Sequence, residues 1–318
     1  MEHDSAIIQK RLPLQSGVGW GLLGVMGFSL TVPLTRVAVD GGHLPALFVG
    51  AGRAVIAGLL ALLALSLTRQ QMPTARQWIR LAIVAGGIVV GFPLLTSFAL
   101  TTTEASHGAV IIAVLPAATA IAVVLRTHEP VTKIFWTSAS LGAAAAITFA
   151  YISGGGIGGF GWPDLLLFGA VVAAAIGYAE GGLLARELGA WQTTCWALVL
   201  ALPVMTMLTG FTIRAGLPDG DLKHWSAFAY LALISMFLAF FAWYRGLALG
   251  PMSTVSQIQL VQPVLSICWA ALLLGEHITP ATALGGLAVI ACATLAVRVR
   301  NTARPSTTTD ARASAHSS

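Results

Sequence analysis

Long apolar stretches dominate this chain, and the short segments between them carry most of its charges. A helix needs about 20 mainly apolar residues to cross the hydrocarbon core of a bilayer. Stretches of this kind, bounded by charges, prolines and glycines, predict ten membrane helices. They lie at residues 17–38, 44–67, 78–99, 105–125, 132–151, 162–184, 191–211, 224–248, 252–274 and 279–298. The pattern therefore predicts an all-α integral membrane protein whose helices are joined by short connections.

Basic residues are distributed unevenly between the two sides of this arrangement. With the N-terminus in the cytoplasm, 13 of the 17 Lys and Arg residues fall in cytoplasmic segments, 3 fall on the opposite side, and Arg53 lies within a span. Lys and Arg accumulate in the cytoplasmic loops of membrane proteins. We therefore expect both termini to be cytoplasmic, in a multi-pass protein of the cytoplasmic (inner) membrane.

An internal repeat relates the two halves of the chain. Three pairs of residues match at an offset of 147 residues: Pro116 with Pro263, Glu129 with Glu276, and Thr132 with Thr279. Each half contains five predicted helices, so equivalent helices would cross the membrane in opposite directions. Inverted repeats of this kind recur in secondary transporters.

The repeat divides the chain into five segments. We expect a cytoplasmic N-terminus at 1–16, a first five-helix repeat at 17–151, a Gly-rich connector at 152–161, a second repeat at 162–298 and a cytoplasmic tail at 299–318. The tail is rich in Ser, Thr and Ala, which indicates disorder. Because the first apolar run is long and no convincing cleavage site follows it, that run is interpreted as the first membrane helix and not as a signal peptide.

Composition excludes several classes of protein. Hydrophobic residues make up 57% of the chain and charged residues only 9%, with a mean hydropathy of +0.84. This is too little charge to cover a soluble domain. The net charge of +5 does not indicate a nucleic-acid partner, because the basic residues lie between apolar runs and in the tail. The three cysteines lie inside apolar runs without metal-ligand spacing, so neither a disulfide framework nor a metal site is predicted, and no cofactor is implied.

Several short motifs resemble the EamA-type transporters of the drug/metabolite transporter superfamily, over residues of about 17 to 298. The motifs are Gly19-Trp20-Gly21, Gly52-Arg53-Ala54, Tyr244-Arg245-Gly246-Leu247-Ala248, Gln262-Pro263-Val264 and Leu274-Gly275-Glu276-His277-Ile278-Thr279. The last resembles the family's Leu-Gly-Glu hairpin. Its counterpart in the first half has His128 where the family usually has Gly. The resemblance implies ten helices, inverted repeats and efflux of small molecules, often amino acids or related metabolites.

Two charged residues within spans are candidates for substrate binding. A buried charge is costly in a membrane and is a functional candidate by default. Arg53 either holds a substrate carboxylate or bridges polar groups of neighbouring helices. Glu180, close to Tyr178, either recognises a substrate amine or takes part in a proton step, or it reaches the cytoplasmic interface beside Arg186.

Uncharged polar and aromatic residues extend the list of substrate-binding candidates. Gln259 and Gln262 are three residues apart and share a helix face, which either lines a cavity or joins helices. His107, near Glu104, either titrates and gates or is a loop residue in contact with water. Aromatic residues that would wall a pocket include Phe92 and Phe240, whereas Trp243 and Tyr244, near a span end, favour the membrane-interface belt.

Prolines, glycines and hairpin residues predict structural roles. Proline removes a backbone hydrogen bond, so Pro33, Pro116 and Pro263 are expected to allow helices to bend. The paired Glu129/Thr132 and Glu276/Thr279 are expected to cap the helix that follows each hairpin. Close helix packing is expected at the glycine pairs Gly17/Gly21, Gly87/Gly91 and Gly246/Gly250.

The sequence favours a secondary transporter that exports a small metabolite, an amino acid or a related zwitterion or cation, by alternating access. The alternatives are a multidrug or cation exporter of the same fold and an intramembrane enzyme using Glu180, His107 or Arg53. Motifs such as His-Glu-x-x-His, a P-loop or Gly-x-Ser-x-Gly are absent from the sequence, so an enzyme is not expected. The expected partners are a small-molecule substrate and the lipid bilayer, with coupling to protons and the oligomeric state left open.

Overall fold

A computed structural model describes residues 17–128, 130, 132–153, 161–249 and 258–302, and it contains no strand in those ranges. Ten helices occupy this part of the chain: α1 Gly17–Gly42, α2 Ala46–Leu67, α3 Ala75–Ala99, α4 Ala105–Thr127, α5 Lys133–Ser153, α6 Trp162–Leu188, α7 Ala190–Ala215, α8 Leu222–Gly246, α9 Gln259–Leu274 and α10 Pro280–Thr302. Eight helices are long and apolar enough to cross a membrane, and the apolar parts of α9 and α10 are shorter. The prediction of an all-α, multi-span protein is confirmed.

Most of the described helices extend a few residues beyond their predicted bounds. Helix α10 continues to Thr302, so residues 299–302 are helical although they were assigned to the disordered tail. The N-terminal segment 1–16, Glu129, residues 154–160 of the connector and residues 303–318 lie outside the described residues. So do residues 250–257, which include Gly250 and the start of the predicted span 252–274.

Large apolar side chains cover the outside of the bundle. On α2, Leu59, Leu63 and Leu67 are more than half exposed. The face of the same helix that is buried in the bundle carries small residues, among them Ala51, Ala57 and Ala61, which are fully buried. Lipid chains are as apolar as leucine, so an outer surface of this kind suits a bilayer, while small residues let helices approach closely.

The contacts between helices follow a two-fold pattern. Helices α2 and α7, α4 and α9, and α5 and α10 pack against each other, and each pair joins equivalent positions of the two halves. Helix α1 packs on α8, and α3 packs on α6. Helix α6 is the counterpart of α1, and α3 is the counterpart of α8. The contact of α1 with α8 therefore corresponds to the contact of α6 with α3.

Irregularities of the helices recur at the same offset of 147 residues that the sequence shows. A π-helical segment, Ala85–Gly91, interrupts α3, and another, Leu231–Leu238, interrupts α8 within one residue of the corresponding position. At the end of α4, His128 adopts a left-handed backbone conformation with φ of 55°, and at the end of α9 its counterpart Gly275 does so with φ of 66°. His128 therefore adopts the same backbone geometry as its glycine counterpart, although this conformation is costly for a residue with a side chain.

Glycines give two of the helix pairs their close contacts. A Cβ atom added to Gly246 would lie 2.6 Å from the backbone nitrogen of Gly21 and 2.8 Å from the carbonyl oxygen of Gly17. Gly87 is held in the same way against the backbone of Ala173 and Gly177 on α6. The predicted role of these glycines is supported by the geometry of α1 on α8 and of α3 on α6.

Trp243 and Tyr244 are not interfacial residues. Their side chains are 3% and 0% exposed, respectively. Trp243 packs against Gly24, and the hydroxyl of Tyr244 lies beside Gly181. The expectation of an aromatic belt was wrong here because glycines on α1 and α6 make room for both rings inside the bundle.

Candidate functional site

A small cavity of about 20 Å³ lies at the centre of the bundle, between the two halves. Side chains from α1, α2, α3, α4, α6, α8 and α9 line it: Phe28, Thr31, Val32, Arg53, Ile88, Phe92, Pro93, Leu115, Ala174, Tyr178, Ser235, Met236, Phe240 and Gln262. A second cavity of about 10 Å³ adjoins it, shares Val32, Leu115 and Gln262 with it, and reaches Gln259. Sites for small metabolites have volumes of several hundred Å³, so this cavity is much smaller than a typical site of that kind.

Most of the helices around the central cavity are irregular where they face it. Thr31 follows the interruption of α1 at Leu30, and Leu115 follows the interruption of α4 at residues 113–114. Ile88 and Ser235 lie in the two π-helical segments. Gln262 follows the 3₁₀ turn of α9. Irregular backbone at membrane depth is tolerated where it lines a cavity, and π-helical segments are frequent at functional sites.

The three predicted hinge prolines lie at these interruptions. Pro33 cannot donate a backbone hydrogen bond to the carbonyl of Ser29, four residues earlier. The hydroxyl of Ser266 on α9 donates to this carbonyl instead, at 2.7 Å. Pro116 and Pro263 begin the second parts of α4 and α9 and pack in the smaller cavity. The prolines thus lie at or near breaks in three helices.

Arg53 lies in this centre with almost no partner. The residue is 1% exposed. One guanidinium nitrogen, Nη2, lies 3.5 Å from the hydroxyl oxygen of Thr96, and Nε has no hydrogen-bond partner among the described residues. Arg53 is also the one charged residue among the described residues that line the central cavity. A buried cation without a counter-charge is energetically costly.

Two amide side chains on α9 also present unpartnered atoms. Gln259 and Gln262 are 5% and 9% exposed. Neither Nε2 of Gln259 nor Oε1 of Gln262 has a hydrogen-bond partner within the described ranges. In contrast, the hydroxyls of Thr31 and Ser235, which join α1 to α8, satisfy each other at 2.7 Å. The centre therefore holds unsatisfied donors and an unsatisfied acceptor, which a polar ligand can satisfy.

A cluster of charges closes one end of the bundle. Glu180 on α6 is 2% exposed and accepts hydrogen bonds from Arg80 on α3 and from Nε of Arg126 on α4, the latter at 2.7 Å. Arg80 also donates to Glu187. The carboxylate of Glu180 thus joins three helices and has two cationic partners, so it is not available as a free group for an amine.

The opposite end is closed by hydrogen bonds around the start of α4. The carboxylate of Glu276 accepts from the backbone N–H groups of Ala105 and Ser106 at 2.7 and 2.8 Å. Nε2 of His107 lies 2.6 Å from Oδ1 of Asp164 on α6. Asp164 also accepts from the backbone N–H of Gly161 at 2.9 Å. These bonds hold α4 against α6 and against the hairpin between α9 and α10.

Glu276→Gln is expected to destabilise the protein by about 1 kcal/mol, because a neutral amide interacts less well than a carboxylate with the N-terminus of α4. Thermal unfolding of the purified protein in detergent measures the effect. The control is His277→Gln, an exposed neighbour in the same hairpin, which should leave the unfolding temperature unchanged. Equal effects of the two substitutions would contradict the capping role.

Larger clefts lie at the surface of the bundle. One, of about 570 Å³, is lined mainly by apolar residues of α3, α4 and α6 such as Leu125 and Val172, which are 61% and 58% exposed. Another, of about 700 Å³, includes Leu23 and Leu249, which are about half exposed. Apolar grooves on the outside of a membrane protein suit lipid chains, so we place the candidate site at the centre.

Comparison with known proteins assigns the chain to a family. The model of the EamA-like transporter family matches it twice, at residues 15–151 and 161–298, once in each half. The chain belongs to the EamA-like transporter family. The chain is also 41% identical over 290 residues to the "Uncharacterized transporter YdeK" of Bacillus subtilis (strain 168), with 88% of this chain and 97% of that protein covered. The resemblance seen in the sequence is confirmed, and the chain is an integral, multi-pass membrane transporter.

A solved structure supports the fold of this EamA-like transporter. A chain described as "Crystal structure of protein" superimposes with a TM-score of 0.60 and 18% sequence identity. The superposition covers 90% of this chain and 98% of that chain. At this identity the likeness shows the fold alone.

The structure of this EamA-like transporter brings together six of the eight predicted substrate-binding residues. Arg53, Phe92, Tyr178, Phe240 and Gln262 line the central cavity, and Gln259 lines the adjoining one. The other two lie elsewhere. Glu180 belongs to the charged cluster at one end, and His107 pairs with Asp164 near the other. The roles of these residues in binding remain predictions.

Of the described hairpin residues of this EamA-like transporter, Glu276 differs from its predicted geometry and Thr279 does not. The expectation that Glu276 caps the following helix, α10, was wrong, because its carboxylate reaches the start of α4. The hydroxyl of Thr279 accepts from the backbone N–H of Thr282 at 3.1 Å and caps α10, as predicted. Thr132 is exposed just before α5.

Sequence reasoning missed several residues of the site. Thr31, Ser235 and Phe28 line the cavity, and Arg80 and Arg126 neutralise Glu180. The hydroxyl residues carried a signal, since both are polar positions within apolar runs. The partners of Glu180 carried none, because they lie 100 and 54 residues away in sequence. Among the described residues, no group of three His, Cys, Asp or Glu residues is placed to hold a metal ion.

Proposed function

We propose that this EamA-like transporter is a secondary transporter that exports a small metabolite, an amino acid or a related zwitterion, across the cytoplasmic membrane. The observation that carries the proposal is the central cavity, in which unpartnered polar atoms of Arg53 and Gln262 meet aromatic side chains, with the unpartnered amide of Gln259 in the adjoining cavity. A multidrug or cation exporter is less well supported, since the described residues around the cavity include a cation and no carboxylate.

The same proposal includes ten spans arranged as two inverted repeats, with both termini in the cytoplasm. The two-fold pattern of helix contacts and the shared offset of the π-helical segments support it. In that orientation the cluster around Glu180 faces the cytoplasm, and the bonds around Glu276 face the outside, in agreement with the distribution of basic residues.

Alternating access would then proceed by rocking of the two five-helix units about the central cavity. Opening towards the cytoplasm requires that Glu180 release Arg80 or Arg126, since these bonds join α3, α4 and α6. Opening towards the outside requires that α4 separate from the hairpin carrying Glu276 or from Asp164. The irregular helices around the cavity supply the bending that both movements need.

An intramembrane enzyme is not favoured by the geometry. Asp164, the partner of His107, and Glu180 lie on the same helix, 16 residues or roughly 24 Å of helix rise apart. Arg53 lies in neither of their contact sets. The three groups do not converge, as a shared catalytic site would require.

Counterflow in proteoliposomes tests the proposal. Purified protein is reconstituted and assayed for exchange of labelled amino acids, organic acids and amines, with and without a pH gradient. We expect saturable exchange of one class, and an effect of the gradient would establish coupling to protons. Absence of exchange across all three classes, in protein whose cooperative unfolding shows that it is folded, would contradict a carrier of small metabolites.

A further inference from the structure

We propose that Arg53 is the binding site for a carboxylate group of the substrate, so that the transported compounds are carboxylates with an apolar body. This inference rests on the proposed function, since it assumes that the central cavity binds the substrate. It goes further by naming the group that is recognised and the residue that recognises it. Amino acids and simple organic acids share this chemistry, whereas amines without a carboxylate do not.

The first argument is a comparison between arginines of the same chain. Nη1 of Arg36 donates to the carbonyl oxygens of Leu100 and Thr101 at 2.9 and 2.7 Å. Arg80 is bonded to two carboxylates. Arginines that hold helices together in this protein are therefore bonded to acceptors. Arg53 is more deeply buried than either, and its one hydrogen bond to the described residues is a long contact to the hydroxyl of Thr96.

The second argument is that three described carboxylates that bind groups from other helices do not pair with Arg53. Glu180 is bonded to two arginines, Asp164 to His107, and Glu276 to backbone N–H groups. No described carboxylate lies within ion-pair distance of Arg53. Because a guanidinium binds a carboxylate with two parallel hydrogen bonds, a substrate carboxylate supplies the missing counter-charge.

The third argument is the chemistry of the surrounding wall. Phe92, Tyr178 and Phe240 lie around the cavity, and the rings of Tyr178 and Phe240 have centroids 6.0 Å apart. These side chains suit an apolar or aromatic body. The unpartnered Oε1 of Gln262 is an acceptor that an ammonium or hydroxyl group next to the carboxylate would satisfy.

The test uses three compounds that share one phenyl ring: phenylalanine, 3-phenylpropionate and 2-phenylethylamine. Binding is measured as the rise in unfolding temperature of the purified full-length protein in nanodiscs, and transport as counterflow. For the wild-type protein we expect phenylalanine and 3-phenylpropionate to bind and compete with each other, and 2-phenylethylamine to do neither. If phenylalanine raises the unfolding temperature more than 3-phenylpropionate does, amino acids are the preferred carboxylate substrates. If 3-phenylpropionate raises it more, simple organic acids are preferred.

Arg53→Met removes the charge and keeps a side chain of similar length. We expect affinity for the two carboxylates to fall by about 30-fold or more, because a buried, hydrogen-bonded charge pair is lost. The unfolding temperature of the ligand-free protein should be equal to that of the wild type or higher, since an uncompensated buried cation disappears. Arg53→Lys, which keeps the charge, should retain weaker binding of both acids. The matched control is Arg36→Met, which should lower the unfolding temperature and leave the preference for acids unchanged.

The outcomes separate this inference from the proposed function. If Arg53→Met is less stable than the wild type, fails to fold, or still binds both acids, Arg53 is structural and the inference is wrong. Exchange of 2-phenylethylamine but of neither acid would also overturn it and would leave a carrier of small metabolites standing. Failure of every class in the counterflow panel would instead contradict the proposed function itself.

Discussion

Replacing Gly87 by alanine is expected to destabilise the protein by roughly 3 kcal/mol or more and to reduce the yield of folded protein sharply. A Cβ atom at this position would overlap the backbone carbonyl oxygen of Ala173 and lie 2.9 Å from the Cα atom of Gly177. Both contacts are to backbone atoms of α6, which cannot move aside as a flexible side chain would. The methyl group therefore forces α3 and α6 apart along their whole crossing. Size-exclusion chromatography and thermal unfolding in detergent measure the loss.

Gly86→Ala is the matched control for this prediction. Gly86 lies in the same π-helical segment, and a Cβ atom there meets nothing within 4 Å. Alanine has a higher helix propensity than glycine, so the control should be as stable as the wild type or slightly more stable. If both variants behave alike, the contact between α3 and α6 is not as close as the structure shows.

Glu180→Gln is expected to destabilise the protein by about 2–3 kcal/mol. Removing one member of a buried ion pair leaves its partners buried without compensation, which costs about 3–5 kcal/mol for a fully buried pair. The effect is smaller here because Arg126 is half exposed and Arg80 keeps its bond to Glu187. The same substitution should alter transport, since it loosens the end of the bundle that is proposed to close on the cytoplasmic side. Thermal unfolding and counterflow with the same preparation measure the two effects.

Glu187→Gln separates the role of Glu180 from a general effect of charge. Both carboxylates bind Arg80, but the side chain of Glu187 is 49% exposed and that of Glu180 is 3% exposed. Exposed ion pairs contribute about 0–1 kcal/mol, so the control should differ little from the wild type. Equal losses of stability, or a Glu180 variant as stable and as active as the wild type, would rule out the proposed role of Glu180.

Local features were read correctly from the sequence because each depends on residues close together in the chain. The length and polarity of the apolar runs depend only on neighbouring residues, and the helices in the described ranges begin and end within a few residues of the predicted positions. Prolines interrupt helices through their own missing N–H group, so the breaks near Pro116 and Pro263 follow from the residues themselves.

Partners across helices could not be read in this way. Glu276 was assigned to the helix that follows it, yet it binds the N-terminus of α4, 170 residues earlier in the chain. For Glu180 the sequence left open a role in substrate binding or a position at the interface beside Arg186, because Arg80 and Arg126 become its neighbours only when α3, α4 and α6 pack together. Trp243 and Tyr244 were placed at the membrane interface, whereas Gly24 and Gly181 admit them to the interior.

The sequence by itself determined that this protein lies in a membrane, that its two halves match at an offset of 147 residues, and that it resembles a transporter family. These conclusions rest on composition, on the length of apolar runs and on repeated motifs, all of which are properties of the linear chain. Only the tertiary structure decided which charges are neutralised. Burial and ion pairing depend on side chains that are brought together from different helices. This packing gives Glu180 two cationic partners, and it leaves Arg53 without a counter-charge among the described residues around the cavity.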